Sequence, residues 1–147
     1  DGTLIAGDHL LERVSSNALI APPLDGDAEE RPRALITYLQ SLRATQQLPV
    51  QTVLPGHGRP FSDHAALIED RFAMHERRAR KIRDLIAERP RSAHAIAEAI
   101  WGNVSVTQAY LTLSEVLGHI DLLLERGEIV QAEHDGVVVW ATPKPSS

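Results

Sequence analysis

Apolar positions recur along this chain in two rhythms, short continuous runs and stripes spaced three and four apart. Thr3-Leu4-Ile5-Ala6 reads as a short buried strand that ends at Gly7-Asp8. Residues 15–32, with Pro22-Pro23, Asp25-Gly26-Asp27 and Pro32, read as a loop. Leu35, Ile36, Leu39 and Leu42 then predict a helix from about Ala28 to Ala44, and Pro49 breaks the chain. Val50 to Leu54 predict a second strand, stopped by the dense turn Pro55-Gly56-His57-Gly58-Arg59-Pro60.

The second half has the helical rhythm. Ser62 is the expected N-cap of a long helix whose stripe is Ile68, Phe72, Ala79, Ile82 and Ile86, with Pro90 as its stop. Ser92 caps a short helix bearing Ala93, Ile96, Ala97 and Ile100. A third helix carries Ala109, Leu113, Val116, Leu117, Ile120, Leu123 and Leu124, with Gly127 just past its end. Ile129 to Ala132 and Val137 to Trp140 flank His134-Asp135-Gly136, and Asp-Gly between two apolar runs signals a hairpin. The order strand–helix–strand, then three helices and a hairpin, predicts an α+β protein. Residues 1–66 form one part, and residues 67–147 form a long linking helix with a winged-helix domain.

Composition narrows the class. At 147 residues, 43% hydrophobic and 24% charged, the chain suits one ordinary domain or two small ones and is too apolar for a disordered chain. Gly and Pro number 9 each without a repeat, which excludes collagen-like sequence. No apolar run approaches the ~20 residues of a membrane span. The absence of cysteine removes disulfides, thiolate nucleophiles and cysteine-ligated zinc. It also fits a reducing compartment, and a cytoplasmic location is expected. The chain begins with Asp1 inside a strand-like phrase, from which an upstream portion is expected.

Candidate chemistry gathers at the two strand ends. Asp8 follows the first strand and His57 the second, 49 positions apart. The C-terminal ends of strands are where α/β-type sheets hold their sites. Glycines on both sides of His57 allow a sharp turn beneath the imidazole. Carboxylate and imidazole together suit Zn²⁺, Mn²⁺ or Fe²⁺. Taken alone, the same residues are more often a cap and a turn residue than metal ligands.

Gly7-Asp8-His9-Leu10, Ala21-Pro22-Pro23-Leu24-Asp25-Gly26-Asp27, Tyr38-Leu39-Gln40-Ser41-Leu42 and Leu54-Pro55-Gly56-His57-Gly58-Arg59-Pro60 occur in this order. The series resembles the C-terminal half of a metallo-β-lactamase-fold hydrolase, nearest to bacterial proteins like the mammalian lactamase beta 2 endoribonuclease and more distantly to glyoxalase II. Met74-His75-Glu76-Arg77-Arg78 and the hairpin 128–141 resemble the winged-helix extension of those proteins, so the likeness covers nearly the whole chain. It implies that Asp8 is the carboxylate bridging two metal ions and that His57 completes the second ion's shell. The implied parent hydrolyses an ester, thioester or phosphodiester with a dinuclear centre of zinc, or of Mn²⁺ or Fe²⁺. The family's His-x-His-x-Asp-His motif is not in this chain. Two ligands instead of four imply a metal bound weakly or not at all, and an isolated chain that is inactive.

The remaining candidates are weaker. Ser15, Ser16, Asn17 and Asp27 lie in the loop that borders the substrate cleft in such hydrolases. His9 and His75 read as structural, His64, His94 and His119 as surface or helix-face residues, and His134 as a turn residue. Residues 67–91 carry a local charge of +3 within a chain of net charge −5. Arg77, Arg78, Arg80 and Lys81 could therefore guide RNA, or could form a solvated face paired with Glu76, Asp84 and Glu88. The third helix, with Glu115, Asp121 and Glu125 against Arg126, is too acidic for the DNA major groove. Rival functions are thus an RNA-binding module on helix 71–91 and a non-catalytic dimerisation domain. A small-molecule substrate or RNA for the parent, no membrane, and a homo-oligomer complete the expectations.

Overall fold

A computed structural model of the chain describes residues 2–21, 31–103 and 105–144, and in Val106 the backbone alone. Two strands, β1 (Thr3–Gly7) and β2 (Thr52–Pro55), are joined through helix α1 (Ala34–Gln46). They pair in parallel, Thr3 opposite Thr52 and Ile5 opposite Leu54, with an irregularity between Ile5 and Gly7. Parallel pairing needs a crossover, and α1 provides it. After β2 the chain turns and comes back, so that Phe61 exchanges two backbone hydrogen bonds with Val53 at 2.8 and 3.1 Å. The segment carrying His57 is therefore a loop closed at its base.

Helix α2 (His64–Glu88) has 25 residues and extends about 37 Å. Its N-terminal part packs Ile68 with Leu10 and Leu42 beneath the strands. Its C-terminal part packs Ala79, Ile82 and Ile86 into a larger core with Ile96, Val116, Ile120, Leu123, Ile129 and Trp140. That core draws on α3 (Ala93–Trp101), α4 (Val106–Glu125) and the hairpin of β3 (Val130–His134) and β4 (Val137–Ala141). Leu39 of α1 packs against both clusters, so the two halves share one continuous interior. At the hairpin tip both Asp135 and Gly136 have positive φ, the backbone that a tight Asp-Gly turn requires. Arg91 and Trp140 exchange backbone hydrogen bonds at 3.1 and 2.9 Å and tie the hairpin to the end of α2.

The predicted element order is present, with shifted ends. Helix α1 begins at Ala34, because Pro32 keeps the residue before it out of the helical region. It continues to Gln46, and β2 lies two residues later than expected at its start. The cap of α2 is Asp63, not Ser62: the helix opens one residue later, and the Asp63 carboxylate accepts from the Ala66 N–H at 3.3 Å. Ser92 caps α3 as expected, accepting from Ala95 N–H. No helix among the described residues is long and apolar enough to cross a membrane.

Candidate metal and substrate site

Parallel strands present both C-terminal ends at the same edge, so Asp8 and His57 emerge side by side. The Gly56 N–H donates to the Gly7 carbonyl at 2.7 Å and ties the two strand ends together. His57 Nε2 lies 3.5 Å from Asp8 Oδ1, and both side chains are open to solvent. A Cβ on Gly56 would stand 2.7 Å from that same oxygen and 3.1 Å from the Gly7 carbonyl carbon, so only glycine fits between them. Two ligands of one tetrahedral zinc lie about 3.3 Å apart, given bonds of about 2.0–2.1 Å. The pair thus fits one edge of a metal shell. Among the described residues, no group of three or more metal-capable side chains includes Asp8 or His57.

The segment after Asp8 is held from several sides. Ser16 Oγ donates to the Asp8 carbonyl, and Ser15 Oγ donates to the Ser16 carbonyl at 3.3 Å. Asn17 turns the other way, donating from Nδ2 to the Leu111 carbonyl of α4 at 3.3 Å. The Ile20 N–H donates to the buried Ser114 hydroxyl at 3.2 Å, and Tyr110 Oη donates to the Ile20 carbonyl. Ser15 and Ser16 therefore lie beside Asp8, whereas Asn17 belongs to the contact with α4. Asp27 falls outside the described residues.

Behind the strand ends runs a column of rings, half-buried at His9 and Tyr38 and buried at His75 and His119. His9 Nε2 meets Thr45 Oγ1 at 3.1 Å, and Tyr38 Oη donates to the His9 carbonyl at 3.2 Å. Burial lowers the His9 pKa and raises that of the Tyr38 phenol. Tyr38 meets His75 edge-on, and His75 Nδ1 stands 3.2 Å from His119 Nε2. His119 Nδ1 lies 2.7 Å from the Glu115 carbonyl, which can only accept. That bond places the His119 proton on Nδ1, so Nε2 accepts from His75. The buried Nε2 of His75 then has no partner. Desolvation lowers both imidazoles from 6.5 to about 4, so both are neutral near pH 7.

Burial revises two expectations. His119 is fully buried and His64 is 6% exposed, whereas both were read as surface or helix-face residues. The spacing carried the signal: His119 falls three after Val116 and four before Leu123, and His64 four before Ile68. His94 and His134 are exposed, as expected. His75, Glu115 and His119 also form the group of three metal-capable side chains among the described residues. Arg78 Nε lies 3.8 Å from Glu115 Oε1, and that positive charge opposes a cation there.

The basic run is divided. Arg78 lies over the Trp101 ring, 4.7 Å from its centroid. Of the three expected local acids, Asp84 pairs with Arg83 and Glu88 with Arg91 within the run, whereas Glu76 pairs with Arg126 beyond it. Two acids of α4 face inward: Asp121 takes a bidentate pair from Arg31 at 2.7 Å, and Glu115 faces Arg78.

Comparison with known proteins places this geometry. No family model matches the chain. A curated relative of Bacillus subtilis, the probable metallo-hydrolase YqjP, is 35% identical over 139 residues, 95% of this chain and 43% of that protein. A solved β-lactamase domain protein of Burkholderia ambifaria is 34% identical with a TM-score of 0.83, over 97% of this chain and 42% of its own. A metallo-β-lactamase family protein of Thermus thermophilus is 25% identical with a TM-score of 0.77, over the same shares. The chain thus spans less than half the length of these relatives. In sequence and in fold, it is similar to part of these metallo-hydrolase and metallo-β-lactamase family proteins.

Proposed function

We propose that this chain is the C-terminal part of a dinuclear-metal hydrolase acting on an ester, thioester or phosphodiester. Asp8 and His57 would hold the divalent ions, with the other ligands supplied from outside this chain. The observation that carries the proposal is the convergence of Asp8 and His57 at 3.5 Å on one strand edge. Divalent ions, Zn²⁺ or Mn²⁺ or Fe²⁺, would supply Lewis-acid polarisation of the scissile group. With two ligands the chain binds metal weakly and is inactive alone. Residues 1–66 form the hydrolase part, and residues 67–147 a linking helix with a winged-helix domain that packs against it. The protein is cytoplasmic. Its substrate is a small molecule or RNA, and DNA and membranes are not partners. Ile5 (82% exposed) and Leu54 (37%) leave an apolar strand face that supports a homo-oligomer, which sizing with light scattering measures.

The test is Mn²⁺ titration of the chain, followed by paramagnetic broadening of its imidazole resonances. Broadening at His57 that disappears in Asp8→Ala is the expected result. Broadening confined to His75 and His119 would overturn the assignment. Single-turnover hydrolysis by the chain with added Zn²⁺ or Mn²⁺, abolished in Asp8→Ala, would overturn its inactivity.

A second reading, RNA guidance by Arg77, Arg78, Arg80 and Lys81, is favoured by Trp101. That residue is 41% exposed and lies beside Arg78, bringing an aromatic surface to the basic run. It predicts binding of single-stranded RNA with a steep salt dependence that flattens in Arg77→Gln and Lys81→Gln. Salt-independent binding, or none, would leave a solvated face. A purely dimerising domain would give neither metal nor RNA binding.

A further inference from the structure

Beside His57 lies an open pocket of about 510 Å³. One wall is the irregular segment Leu11–Val14, and the other is the turn His57-Gly58-Arg59. The first wall has no regular secondary structure to satisfy its backbone, and Arg71 of α2 does so instead. Its Nη2 donates to the carbonyls of Leu11, Glu12 and Val14 at 3.0, 3.1 and 3.3 Å. One side chain thus holds three carbonyls in a fixed arc, anchored on the most extended helix of the fold. The pocket lies next to the strand edge that presents Asp8.

Two guanidiniums line it, Arg13 from one wall and Arg59 from the other. Neither has an ion pair or hydrogen bond among the described residues. Glu12 is the one carboxylate of the lining. A guanidinium is always charged and presents a planar fork that matches a carboxylate or a phosphate. Two such forks on opposite walls, with the His57 imidazole on the same turn as Arg59, suit an oxyanion.

We propose that this pocket receives an anionic group of the substrate, a carboxylate or a phosphate, bound by Arg13 and Arg59 on a wall that Arg71 positions. The inference rests on the hydrolase assignment of Asp8 and His57 and narrows its substrate class to anions. Arg71 touches no substrate and acts through the carbonyls of the wall.

The test needs no metal. The chain is titrated with inorganic phosphate and, separately, with acetate, at fixed pH and ionic strength, while the His57 imidazole resonances are recorded. Saturable shifts at His57 are expected with at least one of the anions. Saturation with phosphate alone assigns a phosphate group, with acetate alone a carboxylate, and with both a site open to either. Arg13→Gln and Arg59→Gln should each weaken binding about tenfold, the value of one charge-assisted hydrogen bond. Arg71→Lys keeps the charge, but its ammonium ends one bond short of the Nη2 position that reaches all three carbonyls, and it should weaken binding while leaving far-UV circular dichroism unchanged. Shifts that stay linear with both anions, or arginine variants that bind like the parent chain, would overturn the proposal. Failure of the metal assignment is read separately, from Mn²⁺ broadening at His57.

Discussion

The His75–His119 pair makes folding stability depend on acidity in a direction that can be worked out. Each imidazole falls from 6.5 to about 4 on folding, first because burial penalises the charged form. The positive charges of Arg71 and Arg78 facing His75, and of Arg78 and Arg126 facing His119, act in the same direction, whereas Glu115 and Glu76 oppose it. Between those two values the unfolded chain carries protons that the folded chain does not. Stability is therefore complete above about pH 6.5 and is lost as the pH falls toward 4. Lowering the pH from 7 to 5 costs about 2 kcal/mol for one such group and about 4 kcal/mol for both. Urea unfolding at pH 7, 6 and 5, followed by the fluorescence of Trp101 and Trp140, measures the loss. His75→Phe removes one of the two titrating groups and keeps a ring against Tyr38. Its stability at pH 7 falls as well, because His119 Nε2 loses its donor, but its loss between pH 7 and 5 should be about half that of the parent chain. Equal losses in the two proteins, or a parent chain whose stability is flat across this range, would refute the buried neutral pair.

Three further substitutions probe the packing. Gly56→Ala places a methyl group 2.7 Å from Asp8 Oδ1 and against the Gly7 backbone, and should weaken Mn²⁺ binding at His57 about tenfold or more with unchanged circular dichroism. Arg31→Ala leaves the buried carboxylate of Asp121 without its bidentate partner and should cost about 1–3 kcal/mol in urea unfolding. Gly118→Ala gains up to about 1 kcal/mol of helix propensity, but its Cβ stands 3.0 Å from Leu35 Cβ. Overpacking of about 1–3 kcal/mol at that crossing of α1 and α4 outweighs the gain, so a lower urea midpoint is expected.

The parts of the molecule that were legible in the sequence are those set by local chemistry. Proline stops, the Ser92 cap and the Asp-Gly turn each depend on a few adjacent residues, and each is where the sequence placed it. Asp8 and His57 were legible for a different reason: a parallel strand pair carries both C-terminal ends to one edge, whatever the helix between them does. Less legible were the residues whose role depends on which face of a helix meets another helix. His119 sits on the stripe of α4, but an imidazole on an apolar stripe is stable only if a second buried group donates to its unprotonated ring nitrogen. That group, His75, lies 44 positions earlier on another helix. Arg71 shows the same limit more sharply. In sequence it is one cation in a run with a net charge of +3. Its role appears only when α2 passes behind residues 11–14, where three carbonyls without a strand partner need donors. The wall of the pocket thus exists because a long helix spans both halves of the fold. The same helix carries His75 to His119, so the segment beside Asp8 and the core of the C-terminal helices rest on one rigid element.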